Sequence, residues 1–246
     1  MDKSLYLAMS GAKQTMLAQS VHANNLANAT TTGFKADLAQ ARSMQVFGGH
    51  HPSRVFALSE NPATQLAAGP MQSTGGELDI AVKGDGWIAV QRADGSEAYS
   101  RDGALSITAD GALVNGTGLV VLGNGGPINI PPAQKLEIGI DGTISIVGLG
   151  EGPETMAEVD RIKLVNPDAG NMEKGRDGLM QTRDGTNPPP DALVRIESGF
   201  LEGSNVNPVE SMTEILSLAR KFELQLKVMQ AAESADRSSA QLLRIS

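Results

Sequence analysis

The sequence predicts an α+β protein, with long N- and C-terminal helices and a central antiparallel β-rich domain between them. Three observations carry this. Apolar residues recur at alternating spacings of four and three through residues 5–26, and a stronger stripe of the same kind runs through 208–243. Between them lie seven Asp-Gly pairs, beginning at 85, 94, 102, 110, 141, 177 and 184, and Asp-Gly is a turn signal because glycine accepts positive φ.

The N-terminal stripe is Leu5, Met9, Ala12, Met16, Gln19, Ala23 and Leu26, which is narrow and heptad-like. Gly11 inside it costs about 1 kcal/mol relative to alanine, so this helix is marginal alone. The C-terminal helix has a sharper start. Asn207 caps it, Pro208 takes the first helical position and Glu210 the third, which satisfies free amides and suits the positive end of the dipole. Its stripe is Met212, Ile215, Ala219, Phe222, Leu226 and Met229, fading at Glu233 and Asp236 and returning at Ala240 and Leu243. A helix over 208–243 is about 54 Å long, more than the width of a small domain.

In the middle, side-chain alternation sets the hairpin registers. A three-residue loop Ile140-Asp141-Gly142 pairs Ile138 with Ile144 and Leu136 with Ile146, keeping the apolar row on one face. The same device pairs Ile107 with Leu113 and Val90 with Ala98. Residues 36–76 have no sustained period and read as an irregular or extended connecting segment. The expected organisation is therefore a helix over 1–35, the connector 36–76, a β domain over 77–206 and a helix over 207–246. Two narrow stripes bury too little apolar area to offset ordering, at roughly 1–2 kcal/mol per residue. Protease is thus expected to remove about the first 35 and last 40 residues and leave the middle.

Composition limits function. The 246 residues are 40% hydrophobic but only 3% aromatic, so the core is aliphatic, and the absence of Cys excludes disulfides, thiolate metal sites and Cys nucleophiles. Net charge is −8. Residues 1–45 hold four basic and two acidic side chains, residues 208–246 five of each, and residues 46–207 eleven basic against twenty-one acidic. An acidic middle argues against nucleic acid as a partner. No apolar run is long enough for a membrane span, and the N-terminus lacks the pattern of a cleaved secretory signal.

The sequence supplies no catalytic, cofactor or metal constellation. His22 falls on the first helix, and the His50-His51 pair lacks companion ligands. Gly123, Gly125 and Gly126 fall short of a dinucleotide fingerprint. The carboxylates mostly sit in Asp-Gly turns, and Trp87 is expected to pack on the sheet.

Three segments carry a family resemblance: "MDKSLYLAMSGAKQTMLAQSVHANNLANATTTGFK", "DIAVKGDGWIAVQRADGSEAYSRDGAL" and "LEGSNVNPVESMTEILSLARKFELQLKVMQ". They resemble, in order, the N-terminal, middle and C-terminal motifs of bacterial flagellar axial proteins. Trp87-Ile88 stands where the family usually has Phe-Phe, and Ser100 where it has Thr. Length and the opening residues look most like the proximal rod protein. The distal rod protein, or another axial component, is the alternative, and a β-rich wall-active enzyme carrying axial helices is the third reading. The resemblance implies a non-enzymatic subunit of the basal-body rod, the hollow drive shaft that crosses the periplasm and transmits motor torque. It implies that the long N- and C-terminal helices pair as a coiled coil, and it implies no cofactor. The implied partners are copies of the chain, other rod proteins and the flagellar type III export apparatus. It also implies an assembly interface formed by Leu5, Met9, Met16, Asn24, Asn25, Leu26, Asn28, Thr31, Gly33, Phe34, Lys35, Asn207, Met212, Ile215, Ala219, Phe222, Leu226 and Met229. Within that set Asn24, Asn25, Asn28 and Thr30–Thr32 are expected to fix subunit register through directed hydrogen bonds, with helix capping as the alternative for Asn28.

Overall fold

The computed structural model describes residues 4–39, 41–45, 55–59, 63–150 and 156–245 and divides into two compact units. The first comprises Met1–Ala29, Asp37–Gln65 and Val206–Ser246. The second comprises Thr30–Ala36 and Leu66–Asn205. The division differs from the expected one, because the Thr-Thr-Thr-Gly-Phe-Lys stretch belongs to the β unit and not to the end of the helix.

In the first unit, helix α1 (Ser4–Ala27) packs against helix α2 (Pro208–Ile245). Asn207 caps α2 as expected, its Oδ1 accepting from the amides of Val209 at 3.1 Å and Glu210 at 3.3 Å. The expected coiled coil is not what forms. A coiled coil buries one apolar stripe from each helix, yet Leu5, Met9 and Met16 are 40, 50 and 58% exposed. The positions of α1 that are buried are Ala12, Thr15 and Asn25, small or polar residues next to the anticipated stripe. On α2, Ser211 and Leu218 are buried, Ile215, Phe222 and Met229 are half-buried, and Met212 and Leu226 stay exposed. The cause is close approach. A Cβ added to Gly11 would lie 2.9 Å from Gln225 Nε2, and the Thr15 hydroxyl sits 3.2 Å from Gln225 Oε1 and 3.0 Å from the Gly11 carbonyl. A methionine seam would hold the helices further apart.

The segment 37–65, expected to be irregular, contains short strands. Asp37–Leu38 pairs with Ala63–Thr64, and Ala41–Gln45 with Val55–Ser59, both antiparallel. The His50-His51 pair lies outside the described residues.

The second unit is built from antiparallel sheets. The largest has nine strands, with Met180–Thr182, Glu97–Ser100, Trp87–Gln91 and Val120–Gly123 at its centre. The hairpin registers match expectation: Val90 opposes Ala98, Ile107 opposes Leu113, and Leu136 and Ile138 oppose Ile146 and Ile144. Gly95, Gly111 and Gly142 all have φ near +86°, the left-handed residue each three-residue loop needs. Alternation in the strand Trp87–Gln91 sorts two cores. Ile88 and Val90 join the main aliphatic core with Ile80, Leu113, Ile128 and Ile144, while Trp87 and Ala89 face Tyr99, Val165, Met172 and Met180. Fully burying each large aliphatic side chain stabilises by about 1.5–3 kcal/mol.

Candidate functional site

The helices present apolar side chains to solvent. Tyr6, Met9, Met16 and Leu17 on α1, and Val209, Met212, Leu216 and Val228 on α2, are between 46 and 68% exposed. Scattered exposed apolar residues are ordinary, but a run of them along two helices is a surface suited to another protein.

The residues of "ANNLAN" divide by role. Asn25 is buried and grips the backbone of Asp37 from both sides: its Nδ2 donates to the Asp37 carbonyl at 2.8 Å and its Oδ1 accepts from the Asp37 amide at 2.9 Å. The amide thus reproduces a strand-like pair of bonds that returns the chain to α1. Asn28 Nδ2 donates to the Asn24 carbonyl at 2.9 Å, closing the last turn of the helix. The Asn24 side chain is exposed and Leu26 half-buried.

The following stretch enters the β unit. Gly33 has φ +67°, and a Cβ there would lie 2.3 Å from the carbonyl carbon of Arg101, so only glycine permits this approach. Its amide donates to the Glu202 carbonyl at 2.7 Å. Phe34 lies under Lys174, whose Nζ is 4.0 Å from the ring centroid and donates to the Lys35 carbonyl at 2.9 Å. The Thr31 carbonyl accepts from the Phe34 amide, closing the turn.

Lys35 belongs to a buried charge cluster. Its Nζ donates to Glu202 Oε1 at 2.7 Å and to the Ala67 carbonyl at 2.8 Å. The other carboxylate oxygen of Glu202 accepts from Arg101 Nη1 at 2.8 Å, and the Gly69 amide donates to Oε1 at 2.9 Å. The side chains of all three are 1–2% exposed. Both cations lie over Trp87, with Arg101 Cζ at 5.2 Å and Lys35 Nζ at 5.9 Å from the ring centroid. Burial would raise the Glu202 pKa, but Arg101 and the Lys35 hydrogen bond outweigh it and hold the carboxyl below its usual range. Burial pushes the Lys35 pKa down, partly offset by Glu202. Sequence reasoning did not single out Arg101 or Glu202. The available signal was that "GFK" and "LEGSN" each hold one charged residue and "YSRDG" two, of which Arg101 joins the cluster, because charges are rarely buried unless paired.

Elsewhere the ionisable groups serve turns and ion pairs. Asp184 is held at about 2 by the Thr186 amide and hydroxyl and by Asn171. An open cleft of about 850 Å³ is lined by Arg92, Glu97, Tyr99, Lys163 and Arg183 among others. Glu97 is paired with Lys163 at 2.8 Å, and burial, followed by the Glu97 charge, pushes the Tyr99 phenol up, so it stays protonated. No group of His, Cys, Asp and Glu suited to a metal occurs among the described residues.

A β unit carrying a helix at each end of the chain, with apolar helix faces left open, has the build of a structural subunit made for assembly. The chain belongs to the flagellar basal-body rod protein family. Residues 5–35 match the model described as "Flagella basal body rod protein", residues 81–146 "Flagellar hook protein FlgE/F/G D1 domain", and residues 197–242 "Flagellar basal body rod FlgEFG protein C-terminal". Over 100% of both chains it is 40% identical to the flagellar basal-body rod protein FlgF of Salmonella typhimurium. It is 34% identical to that of Caulobacter vibrioides, over 99% of this chain and 98% of the relative. Against the flagellar basal-body rod protein FlgG of Bacillus subtilis identity is 31%, over 95% of this chain and 96% of the relative.

Proposed function

We propose that the protein is a non-enzymatic structural subunit of the flagellar basal-body rod, in its proximal part, and that it joins copies of itself and other rod proteins through its two terminal helices. The observation that carries the reading is the row of exposed apolar side chains on α1 and α2, which a monomer leaves in water. Leu5, Met9, Met16, Met212 and Leu226 are the exposed contacts, with Asn24 beside them. The half-buried Leu26, Ile215, Ala219, Phe222 and Met229 support the same faces from inside the helix pair. Full-length identities of 40% and 34% to proteins named FlgF support the proximal position. Export by the flagellar type III apparatus into the periplasm completes the reading. Among the described residues no helix is long and apolar enough to cross a membrane.

Phe222→Asp tests it. The charge enters a largely desolvated helix contact at a cost of several kcal/mol, so cells carrying the variant should export the protein yet build no filament. The β-sheet signal should remain normal. Phe222→Leu, a swap that usually costs less than about 1.5 kcal/mol, should leave swimming intact. Normal swimming of Phe222→Asp cells would place the contact elsewhere. Purified protein should also release no fragments from peptidoglycan. Reproducible release that disappears in Asp102→Asn or Asp141→Asn would restore the enzyme reading.

A further inference from the structure

Lys35, Arg101 and Glu202 stand near the beginning, the middle and the end of the β unit's chain. The Lys35–Glu202 contact spans 167 residues and the Arg101–Glu202 contact 101. Two cations and one anion share the site. Lys35 and Arg101 also have carbonyl partners, Ala67 for the lysine and Val82 and Gly84 for the arginine, and both lie against the Trp87 ring, at 5.9 Å and 5.2 Å from its centroid. Without Glu202 these cations would be confined together with only the weaker field of the exposed Asp85 as countercharge, a state that desolvation and mutual repulsion both oppose. The Arg101 charge acts on Lys35 in that direction in the native state, since it helps depress the lysine pKa.

We propose that Glu202 is the closing latch of the β unit: it neutralises two buried cations, and because it comes last along the chain the unit closes only when the strand Phe200–Glu202 has docked on Met71–Ser73. Lys35, the end of the "GFK" motif, then acts inside its own subunit as the near half of the latch. Gly33 is required so that the backbone can lie against Arg101 and bring the lysine in. The inference rests on this unit alone and stands apart from the reading of the helices as an assembly surface.

The chain carries its own reporter, since its single tryptophan lies beside both cations. Urea unfolding of the full chain, followed by Trp87 fluorescence, is compared for the parent protein, Glu202→Gln, Lys35→Met and the double variant. Glu202→Gln keeps the shape and should lower the urea midpoint by about 1 M or more. Adding Lys35→Met should raise the midpoint above that of Glu202→Gln alone, because one unpaired cation is removed. In stopped flow, Glu202→Gln should speed unfolding and leave refolding within about twofold, as expected for contacts formed after the transition state. A parental midpoint for Glu202→Gln would overturn the proposal. So would a double variant no more stable than Glu202→Gln, or one that also fails to fold when Glu202→Gln does. Refolding slowed in proportion to the lost stability would overturn the order of closing.

Discussion

The helical and β units use apolar and polar side chains in opposite ways. In the β unit the large aliphatics are inside: Ile80, Ile88, Leu113, Ile128 and Ile144 are all fully buried. On the helices Met9, Met16 and Met212 are at least half exposed, while Ala12, Thr15, Asn25 and Ser211 are buried. Both units have regular secondary structure and plausible apolar periodicity, so the contrast lies in what each surface is for. A sheet with a complete aliphatic core stabilises itself. The helix pair buries mainly small and polar residues with Leu218 and leaves much of its apolar area in solvent, the area proposed above as the assembly surface. The β unit also contains a strongly charged interior, and there the Lys35, Arg101 and Glu202 charges are matched by one another and by backbone groups.

The contrast can be sharpened or broken by experiment. The largest effect is expected for Gly33→Ala. A left-handed alanine costs about 1–2 kcal/mol, and displacing the Arg101 backbone adds to it, for a total of about 3 kcal/mol. Trp87 fluorescence in urea measures this, and an unchanged midpoint would mean that the segment 30–36 is not held as described. A smaller, pH-dependent effect comes from Glu202. Its folded pKa lies below the ordinary 4.5. Its contribution is therefore fully present above that value and is lost as pH falls through the folded pKa. The parent protein should lose β-unit stability over the acid range below about pH 4, and Glu202→Gln should lose less over the same range. Equal acid sensitivity of the two would assign the acid transition to other carboxylates. The smallest effect on the monomer is expected for Met16→Ser. An exposed substitution stays within about 0.5 kcal/mol, so thermal melting should be unchanged while swimming is impaired. A lowered melting temperature would show that Met16 supports its own unit, and the contrast drawn here would fail at α1.

Much of the β unit was legible because its rules are local. In the hairpin 136–146 only one loop length places Leu136, Ile138, Ile144 and Ile146 on one face, and that register is the one formed. The cap at Asn207 was legible for the same reason, since its partners are two and three residues away. The helix faces were less so. Reading Leu5, Met9 and Met16 as the seam assumed that the largest apolar residues face the partner helix, whereas Gly11, Ala12 and Thr15 allow the closer approach. The expected boundary after residue 35 falls inside Thr30–Ala36, a stretch that groups with the β unit. A protease cut after residue 35 would take Gly33 and Lys35 out of the β unit, so a trimmed middle that stays folded must begin before Thr30.

By itself the sequence determined the two helices, three hairpin registers, the Asn207 cap and, through three motif segments, the rod family. Those depend on short-range spacing and on matches readable along one line. Tertiary structure alone decided which helix face is inward and where the motif charges go. Lys35, Arg101 and Glu202 come one each from the three segments that match the family models. Read singly, each is a surface charge. Only the fold, by closing contacts across 101 and 167 residues, brings them within hydrogen-bonding distance under Trp87, where each neutralises what would otherwise be a buried, uncompensated charge.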